Sequence, residues 1–456
     1  AWADPRVAEG ILEAVTMETE WAVSSQMWIA LAVLAGAYAL IFSEIIHRTH
    51  AALIGAVCMV SIGMLNGFYT QEEAILAIDA NTILLLAAMM LLVAMLRPTG
   101  AFEYTAVVIA RFSANDPRRL LVYLSLAVSL ISMVLDNVTT IIVFAPLTVL
   151  ISRILQLNPM PFLISEAILS NIGGAATLVG DPPNLMIGSA AAISFADFFQ
   201  HMGPPIIVIW LATVSMLLLM FRKQLDPQCL EQCDLHFDLS RAIKDHGEMC
   251  RLHAALGVVV ALFFTHHLLH ISPAFAAIIG LALALALIQP NAETLFGQII
   301  WSVLIFFCGL FVIVGGVEAS GLLELLGRRL GEVAREPGQL LLACLLLMWL
   351  AAVLSAIVDN IPFTISMIPI IVGLGAHGAE TTPLWWALAI GVGLGGNSTH
   401  IGATANLIAV TEAEKCGIPG ARITPLGWMR VGIPVTVSGL ALASLLYTLF
   451  FDFFVG

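Results

Sequence analysis

Charge is what this chain has least of. Only 11% of its 456 residues are Asp, Glu, Lys or Arg, and 18 of them are basic, which leaves no basic stripe of the kind that nucleic acid requires. Cysteine is sparse and scattered: Cys58, Cys308 and Cys344 lie in apolar runs, and Cys229, Cys233 and Cys250 share one charged stretch. An odd, dispersed set argues against a disulfide framework. With His236 and His246 those loop cysteines match no zinc spacing, so a solvated loop is expected there, with no resident metal and no cofactor. The net charge of −13 implies no acidic ligand, because the acids gather near the N-terminus (Asp4, Glu9, Glu13, Glu18, Glu20) and in a central loop.

What is abundant is apolar. Hydrophobic residues make up 60% of the chain and the mean hydropathy is +0.99, beyond what a soluble core needs. Repeated apolar stretches of about 17 to 25 residues read as membrane-spanning helices. Spans are expected at 27–46, 51–68 and 80–97, followed by an amphipathic interfacial stretch at 99–113. Beyond it lie the apolar runs 120–135 and 139–155, half-helices 161–172 and 184–194, and a closing span from Pro204 to Met220. Residues 223–252 form a charged loop. His266, His267 and His270 are expected at an outer helix end, facing the interface, and the 17 methionines read as packing.

The informative residues are the polar ones inside these runs. Asp136 and Asn137 interrupt one apolar stretch, Asp359 and Asn360 another, and a proline follows each aspartate by ten positions (Pro146, Pro369). Ionisable residues in hydrocarbon are costly and default to function. Gly173-Gly174-Ala175-Ala176-Thr177-Leu178-Val179-Gly180-Asp181-Pro182-Pro183-Asn184-Leu185 aligns without gaps on Gly395-Gly396-Asn397-Ser398-Thr399-His400-Ile401-Gly402-Ala403-Thr404-Ala405-Asn406-Leu407, identical at six of thirteen positions with an offset of 222. The Asp-Asn pairs are offset by 223, and Thr99 to Glu103 against Ser320 to Glu324 by 221. Three anchors agree on one duplication.

Lys and Arg set the orientation. With five crossings and one hairpin per half and the N-terminus outside, 14 of the 18 basic residues fall inside, leaving Arg6, Arg328, Arg329 and Arg335 outside, as the positive-inside rule requires. An odd number of crossings inverts the second half relative to the first. The expected fold is therefore an all-α polytopic membrane protein, an inverted-repeat transporter with about ten transmembrane helices, two re-entrant hairpins and two discontinuous helices. Its divisions are an extramembrane segment 1–26, a first repeat 27–222, a cytoplasmic loop 223–252 and a second repeat 253–456. The membrane is a multi-pass one, read as a bacterial inner membrane, with both termini outside.

Irregular backbone at membrane depth survives only where protein or a water-filled cavity meets it. Both Gly-rich breaks thus mark a cavity, and helix ends there present free N–H and C=O groups. The candidate substrate-binding residues are Asp136, Asn137, Thr139, Thr140, Gly173, Gly174, Thr177, Asn184, Asp359, Asn360, Asn397, Ser398, Thr399 and Asn406, with His400 as a further one. Candidate proton carriers are Asp136, Asp359, Glu166 and Asp181, because burial disfavours the charged form of a carboxylate. A competing role for each tip aspartate is to cap the helix that follows, and for Asp181 to fix its loop.

Leu135-Asp136-Asn137-Val138-Thr139-Thr140, Ser170-Asn171-Ile172-Gly173-Gly174, Gly180-Asp181-Pro182-Pro183-Asn184 and Asp359-Asn360-Ile361-Pro362-Phe363-Thr364 resemble the ion transporter superfamily. The closest patterns are its branch of arsenite/antimonite permeases, sodium/proton antiporters and the melanosomal P protein. The resemblance covers roughly residues 27–452 and implies an elevator-type carrier, often a homodimer, whose hairpin tips and broken helices bind substrate. It departs from the dicarboxylate branch, whose tips read Ser-Asn-Thr, in carrying Asp136 and Asp359. The expected activity is proton-coupled efflux of arsenite or antimonite, with sodium/proton exchange or anion transport as alternatives. An intramembrane aspartyl protease would also use two aspartates, but would explain neither doubled break nor matched hairpin.

Overall fold

The computed structural model describes residues 24–43, 45–113, 116–225, 245–323, 325, 339–357, 360–376, 378–418 and 420–455. Asp359, Cys229, Cys233 and His236 lie outside the described residues. Everything described is helix or connection. The first half holds α1 (Ser25–Ser43), α2 (Arg48–Asn66), α3 (Gln71–Leu76), α4 (Ala80–Leu96), α5 (Ala101–Phe112), α6 (Pro117–Ser132), α7 (Asn137–Ile154), α8 (Met160–Gly174), α9 (Pro182–Ala190) and α10 (Phe195–Met220). The second holds α11 (His246–Thr265), α12 (Pro273–Ile288), α13 (Ala292–Phe296), α14 (Trp301–Ala319), α15 (Leu340–Ile357), α16 (Asn360–Ala376), α17 (Thr382–Gly395), α18 (Thr404–Lys415), α19 (Pro425–Leu449) and α20 (Phe451–Val455).

Among the described residues, eight helices are long and apolar enough to cross a membrane. Shorter apolar helices follow the expected pattern at Ser25–Ile41, Pro273–Ile288 and Asn360–Ala376, and α8/α9 and α17/α18 form the two broken pairs expected from sequence. Helix starts follow local chemistry. Thr70 and Glu73 form a reciprocal capping box at α3, Ser272 caps α12 ahead of Pro273, and Thr424 caps α19 ahead of Pro425, each satisfying N–H groups that the first turn leaves free.

Two expectations are corrected. The closing span of the first half begins at Phe195 and not at Pro204: Ser194 accepts from Asp197 N at 3.1 Å, and the helix runs on through Pro204 and Pro205. Those prolines give up only the bonds to the carbonyls four residues earlier. His266 does not face the interface. It is buried, its Nε2 accepts from Phe195 N at 3.1 Å, and its Nδ1 meets Ile271 O at 3.0 Å, so it serves as a cap for α10.

Packing divides the chain into two units, and each draws on both repeats. The smaller comprises the described parts of Ala1–Ile78, Ile305–Arg335 and Pro369–Ala379. In it, α2 meets α14 through small residues. A Cβ on Gly55 would lie 2.8 Å from Ile313, one on Gly309 would lie 2.9 Å from the Ala52 backbone, and one on Gly316 would lie 2.3 Å from Met59. Close approach through small side chains is how apolar helices associate where lipid supplies no hydrophobic drive. Tyr69 locks the contact by donating to Val312 O at 3.0 Å. The larger unit, Asp79–Leu304, Glu336–Ile368 and Glu380–Gly456, contains both breaks and the start of each hairpin's second arm.

Candidate substrate-binding site

The site grows out of two helix breaks with the same construction. In α8/α9, Gly174 sits so close to Gly180 that a Cβ would be 2.5 Å from Gly180 O; in α17/α18, Gly396 faces Gly402 O at 2.9 Å. Glycine is required at these crossings because any side chain would meet backbone. Asn184 Nδ2 closes the first break by donating to Gly174 O at 3.2 Å and Thr177 O at 3.0 Å. Asn406 Nδ2 closes the second by donating to Gly396 O at 2.8 Å and Thr399 O at 2.9 Å. Each break is tied to its hairpin in the same way. Thr177 donates to Met133 O at 2.5 Å and Thr399 to Ala356 O at 2.6 Å, while Ser132 donates to Ser170 O at 2.8 Å and Ser355 to Val392 O at 3.0 Å. These matched pairs show that the sequence duplication is a duplication of contacts.

Asp136 caps α7, as the competing reading had it. Its backbone is extended (φ −64, ψ 154), Oδ1 accepts from Thr139 N at 2.8 Å and Oδ2 from Thr139 Oγ1 at 2.5 Å. Thr140 Oγ1 turns back to Asp136 O at 2.9 Å. Thr139 and Thr140 are thus occupied in shaping the tip, and Gly173 packs a potential Cβ 2.6 Å from Ser129 O.

The groups that converge are carboxamides. Asn137 Nδ2 donates to Asn171 Oδ1 at 3.0 Å and to Asp181 Oδ1 at 3.3 Å. Asn171 Nδ2 donates in turn to Asn397 Oδ1 at 2.8 Å and Asn406 Oδ1 at 2.9 Å, so one side chain spans from the first hairpin to the second break. Asn171 was not among the candidates taken from the sequence; its only signal is its place in the Ser170-Asn171 motif. Asn360 accepts from Ser355 Oγ. Trp428 Nε1 holds Asn397 O at 3.0 Å, another residue without a sequence signal.

Among the described residues, the acceptor Asn137 Oδ1 and the donor Asn397 Nδ2 of this cluster are buried and meet no hydrogen-bond partner. Buried polar atoms are ordinarily satisfied, so a polar guest reaching this cluster would find one acceptor and one donor to engage. Access differs between the breaks. Residues 171–188 are all buried, whereas Ser398 is at its edge, Thr399 and His400 are half-buried and Ile401 is 44% exposed. His400 Nδ1 also lacks a partner. Neither break contains a lysine or arginine. Among the described residues no group of three or more His, Cys, Asp or Glu side chains is placed to hold a metal ion.

Helix breaks joined by polar contacts within an apolar helical protein define a membrane transporter. The chain belongs to the CitMHS citrate transporter family, which it matches over residues 38–391, within the ion transporter superfamily. It is 37% identical to a 46 kDa membrane protein of Mycobacterium leprae (strain TN) across 91% of this chain and 97% of that one. It is 35% identical to an uncharacterized transporter of Mycobacterium tuberculosis (strain ATCC 25618 / H37Rv), again across 91% and 97%. The human P protein is 31% identical across 91% of this chain and 59% of its own length. The Alcanivorax borkumensis YdaH transporter shares the fold at a TM-score of 0.56 and 14% identity, covering 94% of this chain and 98% of that one. The protein is an integral, multi-pass membrane carrier for a small solute or ion, and the family assignment disposes of the protease reading.

Proposed function

We propose that the protein is a proton-coupled secondary carrier that exports a small, neutral, hydroxylated solute, with arsenite and antimonite as the substrates. The observation that carries this reading is the carboxamide cluster around Asn171, with an unpartnered acceptor on Asn137 and an unpartnered donor on Asn397. An undissociated trihydroxide offers O–H donors and oxygen acceptors and no charge, which suits carboxamides. A polycarboxylate would need basic partners, and the two breaks contain none.

The second reading is an organic anion carried with a cation, favoured by the family to which the chain belongs; sodium/proton exchange is the third. The resemblance further supports an elevator cycle in which hairpins and broken helices move together, in a homodimer of a bacterial inner membrane. Uptake into proteoliposomes separates the readings. Arsenite accumulation driven by a pH gradient is the expected result; citrate accumulation without arsenite transport would replace the first reading with the second. A rigid cross-link between a hairpin and α4 should stop flux and spare binding.

A further inference from the structure

Glu166 lies on α8 five residues before Asn171, about 7.5 Å along a helix axis. Its side chain is 1% exposed. Oε1 accepts from Thr148 Oγ1 of α7, and Oε2 has no partner. No ion pair reaches it among the described residues. The ionisable groups on the elements packed around α8 are engaged elsewhere or sit at helix ends. On α7, Arg153 donates to Cys416 O at 2.8 Å, and Asp136 is spent on Thr139. On α18, Lys415 pairs with Glu412 and Glu414 with Arg422. Arg118 and Arg119 open α6 beside Asp116, Tyr123 on the same helix is exposed, and on α10 Asp197 is bound to Ser194 and His201 stacks on Trp386. Helix α17 carries no ionisable residue.

A carboxylate in that position would be an uncompensated charge at membrane depth, which costs several kcal/mol, and the neutral acid avoids the cost. Ser152, four residues after Thr148 and so on the same face of α7, is fully buried and its Oγ also has no partner. Thr148 and Ser152 thus extend a hydroxyl stripe from Glu166 toward the end of α7. At the repeat offsets the counterparts of Glu166 and Thr148 are Leu388 and Ile371, both buried. At these two positions the second repeat carries apolar side chains, so packing does not demand a carboxyl there.

We propose that Glu166 is a proton-carrying group of the carrier, loaded and unloaded along Thr148 and Ser152. The inference rests on the proton-coupled reading above. Purified wild type, Glu166→Gln, Glu166→Asp and Thr148→Val in proteoliposomes test it with labelled arsenite as probe. Two readouts are compared: counterflow at equal pH, which needs no net proton movement, and accumulation driven by a pH gradient. Glu166→Gln should keep counterflow within about twofold of wild type and lose gradient-driven accumulation at least tenfold, with Glu166→Asp restoring part of it and Thr148→Val shifting its pH profile. Wild-type accumulation with an unchanged pH profile in Glu166→Gln would overturn this proposal alone. A wild type indifferent to the pH gradient would overturn the coupling reading and this proposal with it. Should Glu166→Gln fail to assemble, a protonated-carboxyl infrared band in wild type at neutral pH that moves in frequency in Glu166→Asp supports the neutral acid; a protonated-carboxyl region identical in wild type and Glu166→Asp overturns it.

Discussion

Asn171 Nδ2 lies 2.8 Å from Asn397 Oδ1, a hydrogen bond between residues 226 positions apart that joins the two repeats at their breaks. The same nitrogen reaches Asn406, and the oxygen of that carboxamide receives Asn137. A single side chain thus sets the spacing of the groups expected to hold the solute.

Asn171→Ala should therefore cost more than any other single carboxamide change. It leaves Asn397 Oδ1, Asn406 Oδ1 and Asn137 Nδ2 short of partners, and each buried group so stranded costs about 1–3 kcal/mol. Arsenite binding to purified protein, measured by equilibrium dialysis, should weaken by at least tenfold. Affinity within twofold of wild type would remove Asn171 from the site.

The two tip aspartates should not behave alike. Asp136 has both oxygens engaged at Thr139, and Asn caps a helix about as well as Asp. Asp136→Asn should thus fold and transport nearly as wild type, while Asp136→Ala should lose about 1 kcal/mol of stability. The residue three positions after Asp359 is Pro362, which has no N–H to give a capping carboxylate. Asp359→Asn is expected to lower pH-driven flux at least tenfold at matched expression. Equal, wild-type flux in both variants would leave neither aspartate in coupling.

Glycine at the crossings is a steric requirement. Gly180→Ala places a methyl 2.5 Å from Ser132 O and Gly396→Ala one 2.7 Å from Asn360 Oδ1, whereas Gly36 has nothing within 4 Å. Overpacking of this kind costs about 1–3 kcal/mol. Thermal unfolding in detergent should show lowered Tm for the first two and no change for Gly36→Ala; a Gly180→Ala protein as stable as wild type would contradict the tight crossing.

Orientation is open to direct measurement. The distribution of basic residues puts loop 223–252 inside and Arg328, Arg329 and Arg335 outside. In right-side-out vesicles an impermeant thiol reagent should modify a cysteine placed at Arg328 and spare one placed at Lys223, in a background without native cysteines. The reverse labelling would invert the topology.

The sequence by itself determined the class, the all-helical fold, the duplication and the positions of the Gly-rich breaks. Charges, carboxamides, glycines and prolines inside apolar runs have few alternative explanations, because hydrocarbon penalises each unpaired polar group. The helices α7 and α16 begin at the residues following the aspartates, and α8 and α9 flank the Gly-rich stretch, as local chemistry dictates. Only the tertiary structure decided which polar residues share a site. That Asp136 caps α7 follows from where Thr139 N–H points, and the contacts of Asn171 from partners 226 and 235 positions away. His266 as a cap for α10 likewise depends on a partner 71 positions distant. Contacts made across such separations leave no periodicity or spacing in the chain, since they are fixed by how helices pack and not by how each one forms.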